Sequence, residues 1–210
     1  MFVELIESLR CPRPHEEAPL IVSASRTESR HIVEGVLGCP VCASEFVIAN
    51  GVACFDDPGK PTAREEPSAE TAMRIAAFLE LSDTRGFALL CGRWGAHADQ
   101  IRRLSDTPLV LVNPPSDLSA EVAGAIATRD AVPFAASAAR AAALDGAMSA
   151  ELVASAVRAV RAGGRVLGPA SLDVPPGVIE LVRDDRVWVG EKTAAPDVTP
   201  RFVPLTRASR

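Results

Sequence analysis

The chain has 210 residues, 48% hydrophobic and 23% charged, with a net charge of −5 and no tyrosine. That length allows one ordinary domain plus a small one, with an aliphatic core. Residues 1–60 carry 5 Lys/Arg against 9 Asp/Glu and the remainder 17 against 18, so neither part has the basic surface of a nonspecific nucleic-acid binder.

The N-terminus, "MFVELIESLRC", has acids near its start and no small-residue cleavage site, so it does not read as a signal peptide. No apolar run in the chain reaches the roughly 18–20 residues that span a bilayer. The expectation is a cytoplasmic protein without membrane insertion. Residues 1–55 read as a small β-rich unit. "LIVSASRTESRHIVEGVLGC" suggests a hairpin with a polar tip at Arg26–Arg30, and "SEFVIANGVACF" a second one turning at Asn50-Gly51. A unit this small builds little core, and a metal is its usual staple.

Residues 56–67, "DDPGKPTAREEP", are polar and rich in proline and read as a linker. Residues 68–210 then alternate in type. Ser68 is a candidate N-cap for a helix whose apolar face holds Met73, Ile75, Ala76, Ala77 and Leu79. "FALLC" (87–91) and "LVLVN" (109–113) are buried strands, with a short helix at "AHADQIRRL" between them. "SDLSAEVAGAIA" reads as a helix capped by Ser116, and "SAELVASAVRAVRAGG" as a helix with Leu152, Val153, Val157 and Val160 inward and Gly163 as its C-cap. "RVLGP" is a further strand. "VIELVRDDRVWVGEK" is an antiparallel hairpin turning at Asp184-Asp185. Continuous apolar strands alternating with amphipathic helices predict an α/β fold. It is a β-rich ribbon followed by a Rossmann-like, mostly parallel sheet with helices on both faces.

Five cysteines, an odd number, argue against a disulfide framework in a reducing compartment. Cys39 and Cys42 form a Cys-x2-Cys knuckle. Cys11 and His15 offer a partner pair, and a tetrahedral zinc site wants four N/S ligands from two such knuckles. Cys11, His15, Cys39 and Cys42 are therefore the candidate zinc ligands, with His31 and Cys54 competing for the fourth place. A metal-free ribbon held by packing and a redox dithiol are the alternative readings. The dithiol suffers because the knuckle sits on a hairpin, which does little to lower a thiol pKa.

"LRCPRPHE" and "LGCPVCASEFVIANGVACF" together resemble the zinc-ribbon family of small methyltransferase activators, in its short bacterial form. That family reads Leu-x-Cys-Pro-x-Cys, then Leu-x-Cys-x2-Cys-x3-Tyr-x-Ile-x-x-Gly-Ile. Phe46 stands here for the tyrosine, Ile48 for the isoleucine, and Gly51-Val52 for Gly-Ile; Pro14 stands for the second cysteine. The resemblance implies a ribbon that docks on a class I methyltransferase by strand pairing and by covering apolar surface.

Residues 70–170 in turn resemble a class I methyltransferase domain. "FALLCGRWGAHADQI" lies where that family has its first glycine-rich loop, and "LVLVN" where its second strand ends in the acid that binds the cofactor ribose. Val132-Pro133-Phe134 and Asp145 match the segment around its fourth strand, and Gly163-Gly164 the glycines before its fifth. The resemblance implies Gly92, Gly95 and Asn113 as the S-adenosylmethionine-binding positions. It also implies departures, because Trp94 sits among the glycines and Asn113 replaces the acid. "NPPS" (113–116) reads as a turn rather than an amino-methyltransferase motif, since it follows the second strand and lacks the aromatic. His97 reads as a surface or capping residue and Cys91 as core; no catalytic set stands out. The functional expectation is a methyltransferase-like protein that has lost catalysis and acts as a binding, scaffold or accessory subunit, with a protein partner or a second copy. The alternatives are an active S-adenosylmethionine-dependent methyltransferase with an atypical pocket, and a zinc-ribbon regulator of transcription or translation.

Overall fold

The structure is a computed structural model. It describes residues 1–57, 66–82, 86–115 and 123–194. Four strands come first: β1 (Ile21–Glu28), β2 (His31–Gly38), β3 (Glu45–Ala49) and β4 (Val52–Cys54), joined as antiparallel neighbours. Asn50 and Gly51 have φ of 50° and 76°, the double positive φ of a two-residue hairpin turn. Ser29 and Arg30, at 45° and 67°, turn the first hairpin at its polar tip.

The second part supplies β5 (Ala88–Cys91), β6 (Leu109–Val112), β7 (Gly124–Ala127), β8 (Ala139–Ala143), β9 (Val160–Pro169), β10 (Val178–Arg183) and β11 (Val187–Lys192). Its helices are α1 (Ala69–Phe78), α2 (Ala98–Arg102) and α3 (Ala150–Ala159). Among the described residues all eleven strands form one sheet, in the order β1-β2-β3-β4-β7-β6-β5-β8-β9-β11-β10. From β4 to β9 every neighbouring pair is parallel, and β11 runs antiparallel to both of its neighbours. The ribbon is thus joined to the Rossmann-like strands by backbone pairing of β4 on β7.

Each face of the sheet has its own core. On one face, Ile75 and Leu79 of α1 and Ile101 of α2 pack with Trp94 over Leu90, Leu111 and Leu167. On the other, α3 shares the cover with the first residues of the chain. Met1, Leu5 and Leu9 pack there with Phe134, Val112 and Ile126. Backbone bonds pin this segment: Phe2 N to Ala123 O (2.7 Å), Arg10 N to Pro133 O (2.9 Å) and Ala135 N to Ser8 O (2.9 Å). Phe46, Ile48 and Phe55 of the ribbon are 2%, 1% and 4% exposed, in the same core. Each such side chain contributes about 1.5–3 kcal/mol by leaving water, so the ribbon is part of the packing and not an appendage.

Several expectations are corrected. Gly124–Ala127, expected at the end of a helix, is strand β7. α3 ends at Ala159, so Val160 is buried in β9 and not in the helix, and Gly163 (φ +74°) turns the strand instead of capping. Met73 is 60% exposed; Ala72, Ile75 and Leu79 form the inner face of α1. Ser68 does cap α1, accepting from Thr71 N. Ser116 and most of the 56–67 segment lie outside the described residues. No helix among those described is long and apolar enough to cross a membrane.

Candidate functional site

Two places were marked by the sequence, and the fold positions both. At the Cys-x2-Cys knuckle, Cys39 ends the β2 side and the chain turns back through Val41–Ala43, with Ala43 N donating to Cys39 O and Cys39 N to Ser44 O. Val41 N points at Cys39 Sγ (3.4 Å). Cys11 and His15 come from the segment beside it. The donor atoms of Cys11, His15, Cys39 and Cys42 all lie within 4.8 Å of one another. Cys11 Sγ is 3.8 Å from Cys42 Sγ, and Cys39 Sγ is 3.4 Å from His15 Nε2. Donors around a tetrahedral N/S-bound ion stand about 3.5–3.8 Å apart, so this set could hold a metal ion.

The surroundings favour the same use. His15 Nδ1 bonds Glu16 O at 2.6 Å, which keeps the proton on Nδ1 and turns the Nε2 lone pair toward the thiols. The bond to Glu16 O raises the pKa of this imidazole. Ser44 bonds Cys42 Sγ, and the Ser44 hydroxyl and amide together lower the Cys42 thiol to about 6. Burial pushes Cys11 up to about 11. Cys39 pays for burial, but the Cys42 and Val41 amides outweigh that and leave its pKa lowered. His31 and Cys54 lie outside the cluster. His31 stacks on Phe2 with ring centroids 3.9 Å apart, and the Cys54 thiol is exposed beside Val52 O.

The second place is the switch point of the sheet. The chain runs outward from β5 through β6 to β7, then returns to lay β8 on the other side of β5. In doubly wound sheets ligands bind outside the carboxyl ends of the strands at such a point. Here that crevice is bolted. Gly92 follows β5 with φ +55°, and a Cβ there would collide with the Asp145 carboxylate that follows β8. Asp145 Oδ2 accepts from Arg93 N (2.8 Å) and Oδ1 from Ala147 N (3.1 Å). Trp94 Nε1 donates to Leu144 O at 2.7 Å. The indole turns into the α1-side core, 5% exposed, with the Arg93 guanidinium 4.8 Å from its ring centroid. Gly95 is buried in the 3-10 turn Gly92–His97, its carbonyl accepting from Ala98 N.

Asn113 ends β6 with φ +49°. Its amide is spent on Thr128, donating Nδ2 to Thr128 O (2.7 Å) and accepting Thr128 N on Oδ1 (2.8 Å). So Gly92 stands against Asp145 at the end of β5, Gly95 lies in the turn that follows, and Asn113 closes β6 onto the end of β7. The sequence matches Asp145 only to the fourth-strand segment and gives Leu144 and Thr128 no role; their partners are 52, 50 and 15 residues distant, beyond any local spacing. His97, expected as a surface or capping residue, is fully buried; it stands at the N-cap position of α2 without a side-chain cap bond there, and its Nδ1 accepts from Ser68 N. Cys91 is core, its thiol pushed far up by burial and then by the Asp145 charge, which makes it a poor nucleophile.

No protein-family model and no curated protein matches the chain. Among solved structures it is similar to geranyl diphosphate C-methyltransferase from Streptomyces coelicolor A3(2), at 14% identity and a TM-score of 0.38, over 48% of this chain and 44% of that one. The chain thus spans less than half the length of that enzyme. It is also similar to an S-adenosylmethionine-dependent O-methyltransferase from Thermotoga maritima, at 12% identity and a TM-score of 0.42, over 64% of this chain and 69% of that one. Counted from β5, the strand order here is 3-2-1-4-5-7-6. A mixed sheet of this kind is consistent with a methyltransferase-like fold.

Proposed function

We propose that this chain is a methyltransferase-like protein that works without S-adenosylmethionine, as a binding or accessory subunit stapled by zinc at Cys11, His15, Cys39 and Cys42. The observation that carries the reading is the Asp145 carboxylate seated on the Arg93 amide at the switch point. A cofactor entering there must displace a buried anion from two amide donors and part the Trp94–Leu144 bond. Hydrogen bonds to a charged group contribute about 1.5–3 kcal/mol each. Every 1.4 kcal/mol spent on opening lowers apparent affinity roughly tenfold. Asn113 adds to the deficit, since its amide is already engaged by Thr128 and has no carboxylate to offer a ribose.

The test is calorimetry of the full chain with S-adenosylmethionine. No binding heat at millimolar cofactor is the expected result. Micromolar affinity would sink the reading and favour an active methyltransferase with an atypical pocket.

A further inference from the structure

The connection from β9 to β10, residues 170–177, contains no helix. β10 runs parallel to β9, with β11 between them. A return of that kind is usually made by a helix that covers the sheet. In its place, a groove of about 610 Å³ runs between α3 and the 172–176 segment, within the size range of small-molecule sites. Val153, Ala154 and Val157 line one wall; Leu172, Val174 and Pro176 line the other.

Lys192 stands on the lining at the end of β11, beside Gly177. It forms no ion pair among the described residues. The other cation of the lining is committed: Arg158 bonds Phe134 O (2.9 Å) and faces Glu17 (3.5 Å). Asp173, the acid of the lining, interacts with the charge of Arg183. The groove therefore offers a long apolar wall and, at Lys192, one ammonium group that forms no ion pair among the described residues, with Asp173 as the one carboxylate of the lining. An apolar chain gains by leaving water along the wall, and a carboxylate gains a charge-assisted bond at the end.

We infer that this groove binds an amphipathic carboxylate, its alkyl chain laid along α3 and its anionic head on Lys192. The site is independent of the bolted crevice, sharing none of Arg93, Trp94 and Asp145.

Laurate, dodecanol and dodecylamine titrated into the full chain, below their micellar concentrations, test the assignment. Laurate should saturate one site per chain. Dodecanol should bind about tenfold more weakly, the difference one charged hydrogen bond makes, and dodecylamine more weakly still. Lys192→Ala should bring laurate to the level of dodecanol. Ala154→Trp, at an exposed α3 position facing the groove, should abolish both. Lys192 is at a strand end, so its variant keeps the test alive if Ala154→Trp does not fold. The inference fails if laurate does not saturate, if the three probes bind equally, or if Lys192→Ala changes nothing. It fails equally if Ala154→Trp turns a dimer into a monomer, which assigns the groove to a second copy. A shift of the amide signals of residues 196–210 in that variant also overturns it, assigning the groove to the chain's own C-terminal segment.

Discussion

The Phe55 amide donates to the Ala127 carbonyl at 2.8 Å, one step beyond the pairing of Cys54 with Ala127. With this bond the ribbon's last strand becomes the neighbour of β7, and Phe55 lies against Phe46 with ring centroids 4.7 Å apart. A ribbon built this way cannot swing free without opening the sheet. An engineered protease site in residues 58–65 should therefore be cut without separating the halves. The pieces should co-elute on a sizing column at micromolar concentration. Separation at once, with unchanged amide shifts in the ribbon, would show that the pairing contributes nothing.

Zinc is the next expectation. Protein purified without a tag or chelator should carry about one zinc per chain. Cys39→Ser should abolish that content, and hydrogen exchange should rise first in β2 and β3, which the knuckle joins. Metal binding to a site absent from the unfolded chain is folding free energy. Only trace zinc in freshly purified protein would remove the staple from the proposal.

The thiols set the pH dependence. With Cys42 near 6, its thiol is already ionised at pH 7, whereas Cys11, held up to about 11 by burial, keeps its proton. Zinc must displace that proton, so protons and zinc compete and affinity falls as pH falls, about tenfold per unit for each proton released. Calorimetry of zinc binding at pH 7, in two buffers of different ionisation enthalpy, should show at least one proton released, about one of them from Cys11. Identical heats in both buffers would contradict the assignment of Cys11 as a ligand.

The cluster was legible because its spacing is local: Cys11 and His15 are one pair, Cys39 and Cys42 the other, and only the approach of the two pairs needed the fold. The Asn50-Gly51 turn was legible for a similar reason, since few other dipeptides tolerate two positive φ values in succession. β7 was not. "GAIA" continues an Ala-rich amphipathic pattern, and its strand state is set by β4 and β6 on either side, a tertiary choice that overrides propensity. The end of α3 was misplaced because Gly163 looks like a C-cap, while pairing of Val160 with Ala139 claims the chain three residues earlier. The bolt at the switch point was invisible for the plainest reason: Asp145 and Arg93 are far apart in sequence and adjacent only in the folded sheet.

That bolt gives the last prediction. Gly92 and Gly163 both have positive φ, +55° and +74°. A Cβ at Gly163 meets nothing within 4 Å, whereas one at Gly92 collides with the Asp145 carboxylate. Alanine at either position carries the backbone cost of the left-handed region, about 1–2 kcal/mol. Only Gly92→Ala must also drive Asp145 off the Arg93 amide, a charged hydrogen bond of roughly 1.5–3 kcal/mol. Gly92→Ala should therefore lose about 2.5–5 kcal/mol, clearly more than Gly163→Ala. In a chain of this size each kcal/mol lowers Tm by roughly 2–4 °C, so thermal melts of the two variants resolve the difference. Equal losses would mean that Asp145 yields at no cost, and a carboxylate that yields so easily would leave the switch point open to a cofactor.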